Sequence, residues 1–182
     1  MNDVIKTIYE RRAVRKFKEI GVSRELIEQI IDAGRMAPSA QNQQVWNFLV
    51  LSDKGIIKLL STEIAEVAKK YFHLLEGVDL LASVDFIFHG APVVIFITAP
   101  QDNDWAAFDV AMCAQNMMLA AKSLGLDTCP VGLGKYAQQT KMLSKLKVPK
   151  GEKIELAVII GYGNEKPKVH KRKKNNITYL TP

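Results

Sequence analysis

The sequence predicts an α+β fold in a single domain spanning residues 1–182, and three observations carry that reading. Two continuous apolar runs, "APVVIFITAP" at 91–100 and "IELAVIIGYG" at 154–163, have strand length and suit a sheet buried on both faces. The segments around them are mainly of helical period and do not alternate in regular βαβ units, which argues against a doubly wound sheet. The stretch "WAAFDVAMCAQNMMLAAKSLGL" at 105–126 is helical in propensity and apolar on almost every side. Such a helix needs cover all round, and a chain of 182 residues can hardly supply it alone, so a second subunit is the simplest cover.

Taken in order, Asp3 can cap a first helix in which Val4, Ile5 and Ile8 recur at helical spacing, ending near Arg12. The basic stretch "ERRAVRKFKE" at 10–19 then opens as a loop. Ser23 caps a second helix with Leu26, Ile27, Ile30 and Ile31 on one face, and Gly34 suits a left-handed C-terminal position. An exit loop, "RMAPSAQNQQ", leads into the strand "VWNFLVLS", rich in aromatic and branched residues. Residues 53–82 read as two helices broken at Gly77. After helix 105–126, "TCPVGLG" breaks the pattern and a lysine-rich amphipathic helix is expected from about 137 to 147. The tail from Asn164 carries a second basic cluster ahead of a short apolar end.

Composition narrows the chemistry. No apolar leader follows Met1, so a cytoplasmic location is expected, and Asp109, Gln115, Asn116 and Lys122 argue against a membrane span in helix 105–126. Cys113 and Cys129 form no CxxC pair, and His73, His89 and His170 lack metal-ligand spacing, so neither disulfide nor metal is expected. The net charge of +6, from 25 Lys+Arg against 19 Asp+Glu, could attract nucleic acid, an anionic surface or a phosphorylated ligand. Glycine-rich dinucleotide and nucleoside-triphosphate cradles are missing, as is a GxSxG elbow. An enzyme built from these residues would take its chemistry from a bound organic cofactor.

Two stretches stand out as binding candidates. A guanidinium engages two phosphate oxygens at once and never loses its charge, so Arg11, Arg12 and Arg15 suit a phosphate, as does the tail cluster. Solvated surface is the competing reading, and for Lys171, Lys173 and Lys174 it is the stronger one. The small and amide residues Ser39, Ala40, Asn42 and Gln44 can exchange hydrogen bonds with a planar heteroaromatic, or simply link a helix to a strand.

The stretches "ERRAVRKF", "APSAQNQQVWNFLVL", "GAPVVIFI", "DVAMCAQNMMLAAKSLGLDTCPVG" and "IIGYGNEKP", with "KRK" beyond it, occur in this order across nearly the whole chain. Together they resemble the flavin-dependent nitroreductase family. The resemblance implies a central mixed or antiparallel sheet flanked by helices, an intertwined homodimer, and an FMN site at each subunit interface. It implies reduction by NADH or NADPH and reoxidation by a small electron-poor acceptor, such as a nitroaromatic or quinone, in a ping-pong cycle. It places Arg11, Arg12 and Ala13 at the FMN phosphate and ribityl chain, with Arg15 at the pyrimidine edge. Arg172, and after it Lys173, match a second phosphate ligand. Pro38, Ser39, Ala40 and Asn42 match the loop that reaches the flavin from the other subunit, and Pro130, Val131 and Gly132 the turn beside its ring.

Three positions depart from the family pattern. Ala13 stands where serine is common, Val45 where proline precedes the tryptophan, and Asp127 where glycine is frequent. Hydride transfer requires no side-chain acid or base, so no catalytic residue is nominated. Competing readings are a flavin- or nucleic-acid-binding module without turnover, and a reductive dehalogenase or flavin-processing enzyme on the same fold. The nucleic-acid reading ranks last because no recognition motif is present and aromatics do not interleave with the basic clusters.

Overall fold

Asn2, in an extended conformation, accepts the Ile5 N–H on its side chain and starts helix α1, Asp3–Glu10. Asp3, expected at that cap, instead lies in the first turn, where its charge suits the helix dipole. In this computed structural model residues 1–71 and 85–180 are described. The helix expected beyond Gly77 lies outside them.

Ser23 caps α2, Arg24–Arg35, as expected, by accepting the Leu26 N–H at 3.4 Å. Gly34 is not the left-handed terminus: it lies inside α2, buried against helix α4, Ala106–Ser123. A Cβ there would sit 2.7 Å from Met117 Cγ and 3.1 Å from Cys113 Sγ, so the glycine permits helix contact. Asp53 caps α3, Lys54–Lys69, through the Ile56 N–H.

Four strands form the sheet: β1 (Asn47–Leu51), β2 (Val93–Pro100), β3 (Asp127–Val131) and β4 (Glu152–Gly161). Their order is β1-β2-β4-β3 and every pairing is antiparallel. Helices cover both faces. Val93, Ile95, Ile97, Val158 and Ile160 pack against Ile27, Ile30 and Ile31 of α2 and Val110, Cys113 and Met117 of α4. On the opposite face Val94, Phe96, Ala157 and Ile159 meet Ile57, Leu60 and Ile64 of α3. Burial on both sides explains the unbroken apolar run of β2, each such side chain contributing about 1.5–3 kcal/mol.

Two expectations are corrected. β3 was hidden because Pro130 interrupts its pattern; as an edge strand it tolerates a proline that lacks an N–H. The lysine-rich helix at 137–147 is instead a 3₁₀ segment, Gly132–Gln139, and a one-turn helix α5, Leu143–Leu146. Extended Thr140 separates them, and left-handed Lys147 ends the second.

Candidate functional site

The basic segment after α1 lies along the β3 edge and the end of β4. Val14 N–H donates to Thr128 O at 3.0 Å, and Ala13 pairs in parallel with Thr128. Beyond it, Lys18 N–H donates to Tyr162 O and Asn164 N–H to Lys16 O, both at 2.8 Å, while Phe17 pairs antiparallel with Gly163. The segment is the loop expected from sequence, with no regular element of its own, and two isolated bridges hold it to the sheet. Val14 is buried and Phe17 half-buried at its two points of attachment, whereas Arg15, Lys16 and Lys18 face solvent.

The parallel Ala13–Thr128 bridge puts Arg15 level with Pro130, while Arg11 and Arg12 lie before the bridge; Pro130 and Val131 end β3 and Gly132 opens the 3₁₀ segment, so the expected turn is the exit of a strand. Val131 is buried, while Pro130 and Gly132 are exposed, and nothing lies within 4 Å of the position a Gly132 Cβ would take. Among the described residues no carboxylate pairs with Arg11, Arg12 or Arg15. Arg12 is partly engaged: its Nη1 donates to Tyr9 O at 2.6 Å and Arg11 O at 2.7 Å, closing the end of α1. Burial pushes the Cys129 thiol up, and the guanidiniums of Arg15 and Arg11 oppose that shift, so both cations act on the same point of β3. Such a surface can hold an anion beside an open platform for a planar ring.

Pro38, Ser39, Ala40 and Asn42 lie elsewhere. Their loop has an irregular backbone, with positive φ at Gln41, Asn42 and Gln44. Ser39 Oγ accepts the Gln44 N–H at 2.9 Å, and the buried carboxylate of Asp109 accepts the Ala40 N–H at 3.1 and 3.3 Å. The loop feeds β1, at the sheet edge opposite β3. Three strand spacings of ~4.8 Å put that edge ~14 Å away. Thr128 pairs with Ile160, Ile160 with Val93, and the neighbouring Val94 with Leu51, so the arginines are level with the far end of β1. The length of β1 adds roughly 16 Å. One chain therefore does not bring its own Ser39 loop to its own arginines. Arg172 and Lys173 lie on the exposed tail, in no regular element.

A cleft of about 820 Å³ opens between α2 and β1, lined by Ile27, Arg35, Trp46 and Phe48. It does not include the arginine segment, as expected if the site's two halves sit on opposite edges of each chain. The outer face of α4 is also uncovered: Trp105 at its start and Phe108 within it are 62% and 64% exposed, while Val110, Cys113 and Met117 are buried.

A model of the nitroreductase family matches residues 8–162. The chain belongs to that family. The 4-nitrobenzoate reductase of Pseudomonas putida is 27% identical, over 93% of this chain and 89% of its own. The NADPH-flavin oxidoreductase of Vibrio harveyi is 27% identical, over 94% and 70%. A Bacteroides fragilis nitroreductase crystallised with bound FMN superposes with a TM-score of 0.89 at 26% identity, covering 100% of both chains. One from Desulfitobacterium hafniense, also with bound FMN, gives 0.87 at 27%, again over 100% of both.

Three residues that hold the segments of this candidate site in place were not legible as such in the sequence. Asp109 was visible only as a charge in an apolar helix, and a carboxylate in that setting demands a partner. Thr128 is the backbone acceptor for the arginine segment, and its buried Oγ1 has no hydrogen-bond partner among the described residues. Glu165 accepts the Arg15 N–H at 2.5 Å across 150 residues, a pairing no local pattern announces.

Proposed function

We propose that this chain works as a cytoplasmic homodimer that passes electrons from NADH or NADPH, through FMN, to electron-poor small molecules such as nitroaromatics or quinones. The nitroreductase-type, FMN-dependent NAD(P)H oxidoreductase activity follows from its family; the dimer and the acceptor class are the reading offered here. The observation that supports it is the docking of Val14 on Thr128, which runs the arginine segment along β3, the strand that ends at the open Gly132.

The residues present fit FMN. Arg11 and Arg12 offer guanidinium donors to a phosphate, and Ala13 is small enough to let the backbone approach it. Arg15 puts a permanent cation where the pyrimidine edge would lie, and Pro130, Val131 and Gly132 leave room for the ring. Arg172 and Lys173, on an exposed tail, can close over the phosphate. Pro38, Ser39, Ala40 and Asn42 serve the site of a second copy, because they lie on the edge opposite their own arginines. The same pairing covers the bare face of α4, where Trp105 and Phe108 stand exposed. FMN held by these residues would supply the hydride and electron chemistry, two electrons and two protons passing from NAD(P)H and solvent to the acceptor. The chain's own task is orientation and charge: a fixed cation at Arg15 favours the more negative, reduced flavin. No acid or base side chain is assigned.

The test is the visible spectrum of the protein incubated with FMN and desalted, followed anaerobically as NADH or NADPH is added. A retained oxidised-flavin spectrum that bleaches with nucleotide is expected. A colourless protein overturns the reading, and retained flavin that neither nucleotide bleaches leaves a binding module without turnover.

A further inference from the structure

Glu165 lies just past β4, where the chain runs antiparallel to the arginine segment. Lys18 N–H to Tyr162 O and Asn164 N–H to Lys16 O are main-chain rungs of that pairing. Arg15, opposite Glu165 in that register, makes no such rung; its N–H donates to the Glu165 carboxylate at 2.5 Å. A glutamine would offer the same acceptor, so the carboxylate brings something more, a fixed negative charge.

That charge is held at the Arg15 main chain without being consumed by the Arg15 guanidinium, since no described carboxylate lies within 4 Å of the latter. The two charges act together on their surroundings. At half-buried His89, desolvation lowers the pKa first and the Asp85 carboxylate raises it; Arg15 and Glu165 follow as smaller effects, Arg15 lowering and Glu165 raising it. At buried Cys129 the same two oppose each other beneath the segment. Glu165 is half-buried, so its field is screened less than that of a free surface carboxylate.

We propose that Glu165 is a positioning residue that anchors the Arg15 backbone and, by its charge, offsets the Arg15 cation, holding the reduction potential of bound FMN below the value Arg15 alone would set. This rests on the placement of Arg15 at the flavin given above. The carboxylate thus acts on the flavin twice, through geometry and through field, and the two are separable by substitution.

The experiment measures the midpoint potential of the FMN-loaded protein, its FMN dissociation constant and its melting temperature for wild type, Glu165→Gln, Glu165→Ala and Arg15→Ala. Glu165→Gln keeps the acceptor and loses the charge, so the potential is expected to rise while melting temperature and FMN affinity stay near wild type. Glu165→Ala loses both, so the potential rises and FMN binding weakens several-fold. A potential unchanged or lowered in Glu165→Gln, with Arg15→Ala lowering it, overturns this inference and leaves the Arg15 assignment standing. An Arg15→Ala protein with the wild-type potential overturns the Arg15 assignment itself, and this inference with it. Should Glu165→Gln not fold, Asn164→Asp adds a second charge from an exposed neighbour. It is expected to lower the potential, and an unchanged value there overturns the field argument.

Discussion

The carboxylate of Asp109, in the first turn of α4, is buried and accepts the backbone N–H of Ala40 at 3.1 and 3.3 Å, fixing a loop that lies 69 residues earlier in the chain. That loop holds Gln41, Asn42 and Gln44 at positive φ, a conformation that survives only where the surroundings enforce it. Asp109→Leu leaves the Ala40 N–H unpaired and should cost ~1–3 kcal/mol of stability. Asp109→Asn retains an acceptor and should lose markedly less. Denaturant midpoints of the two variants decide between a tether and mere helix packing. FMN dissociation constants then read how far the loop matters to the cofactor.

Arg15 and Arg172 should separate in their effects. Arg15→Ala is expected to lower the flavin potential more than it weakens FMN binding. Arg172→Ala should do the reverse, loosening FMN by about ten- to hundredfold, the worth of a hydrogen-bonded charge at ~1.5–3 kcal/mol. Equilibrium titration and potentiometry on both variants give the comparison, and equal effects refute the assigned roles.

Ala13 is half-buried at the rung where the arginine segment meets Thr128. Ala13→Ser restores a hydroxyl at the phosphate position. It should tighten FMN by one neutral hydrogen bond, ~0.5–1.5 kcal/mol, seen as a lower dissociation constant. An unchanged or higher constant removes Ala13 from the phosphate site.

Gly34→Ala should destabilise the fold by ~1–3 kcal/mol, because the new methyl meets the helix α4 side chains of Met117 and Cys113 in a filled core. A stability gain, as at an ordinary exposed helical glycine, would show that α2 and α4 are looser than described. Thermal and urea unfolding report the sign.

Cys113 is fully buried, and burial pushes its thiol from the ordinary 9.0 up to about 12. The folded state therefore keeps a proton that the unfolded chain releases. This contribution is fully present below pH 9 and is lost as pH rises from there towards 12. Cys113→Ala should be less stable at neutral pH but show a shallower alkaline decline. Parallel unfolding curves for the two proteins across that range test it.

The α+β class, the two central strands, the cap at Ser23 and the family were legible in the sequence, because these rest on period, run length, short-range hydrogen bonds and the order of short motifs. What depends on a distant partner was not. Gly34 resembles a helix terminus until Met117 is seen against it. Residues 127–131 do not look like a strand until β4 supplies the ladder and the edge position excuses Pro130. The segment 137–147 carries a helical pattern that the extended Thr140 interrupts. At the candidate site, the arginines were legible as charge, yet only the tertiary structure docked their segment on Thr128 and gave Arg15 its anchor in Glu165. Those contacts join residues more than a hundred positions apart, and no local periodicity encodes which backbone group will face which side chain once the sheet has closed.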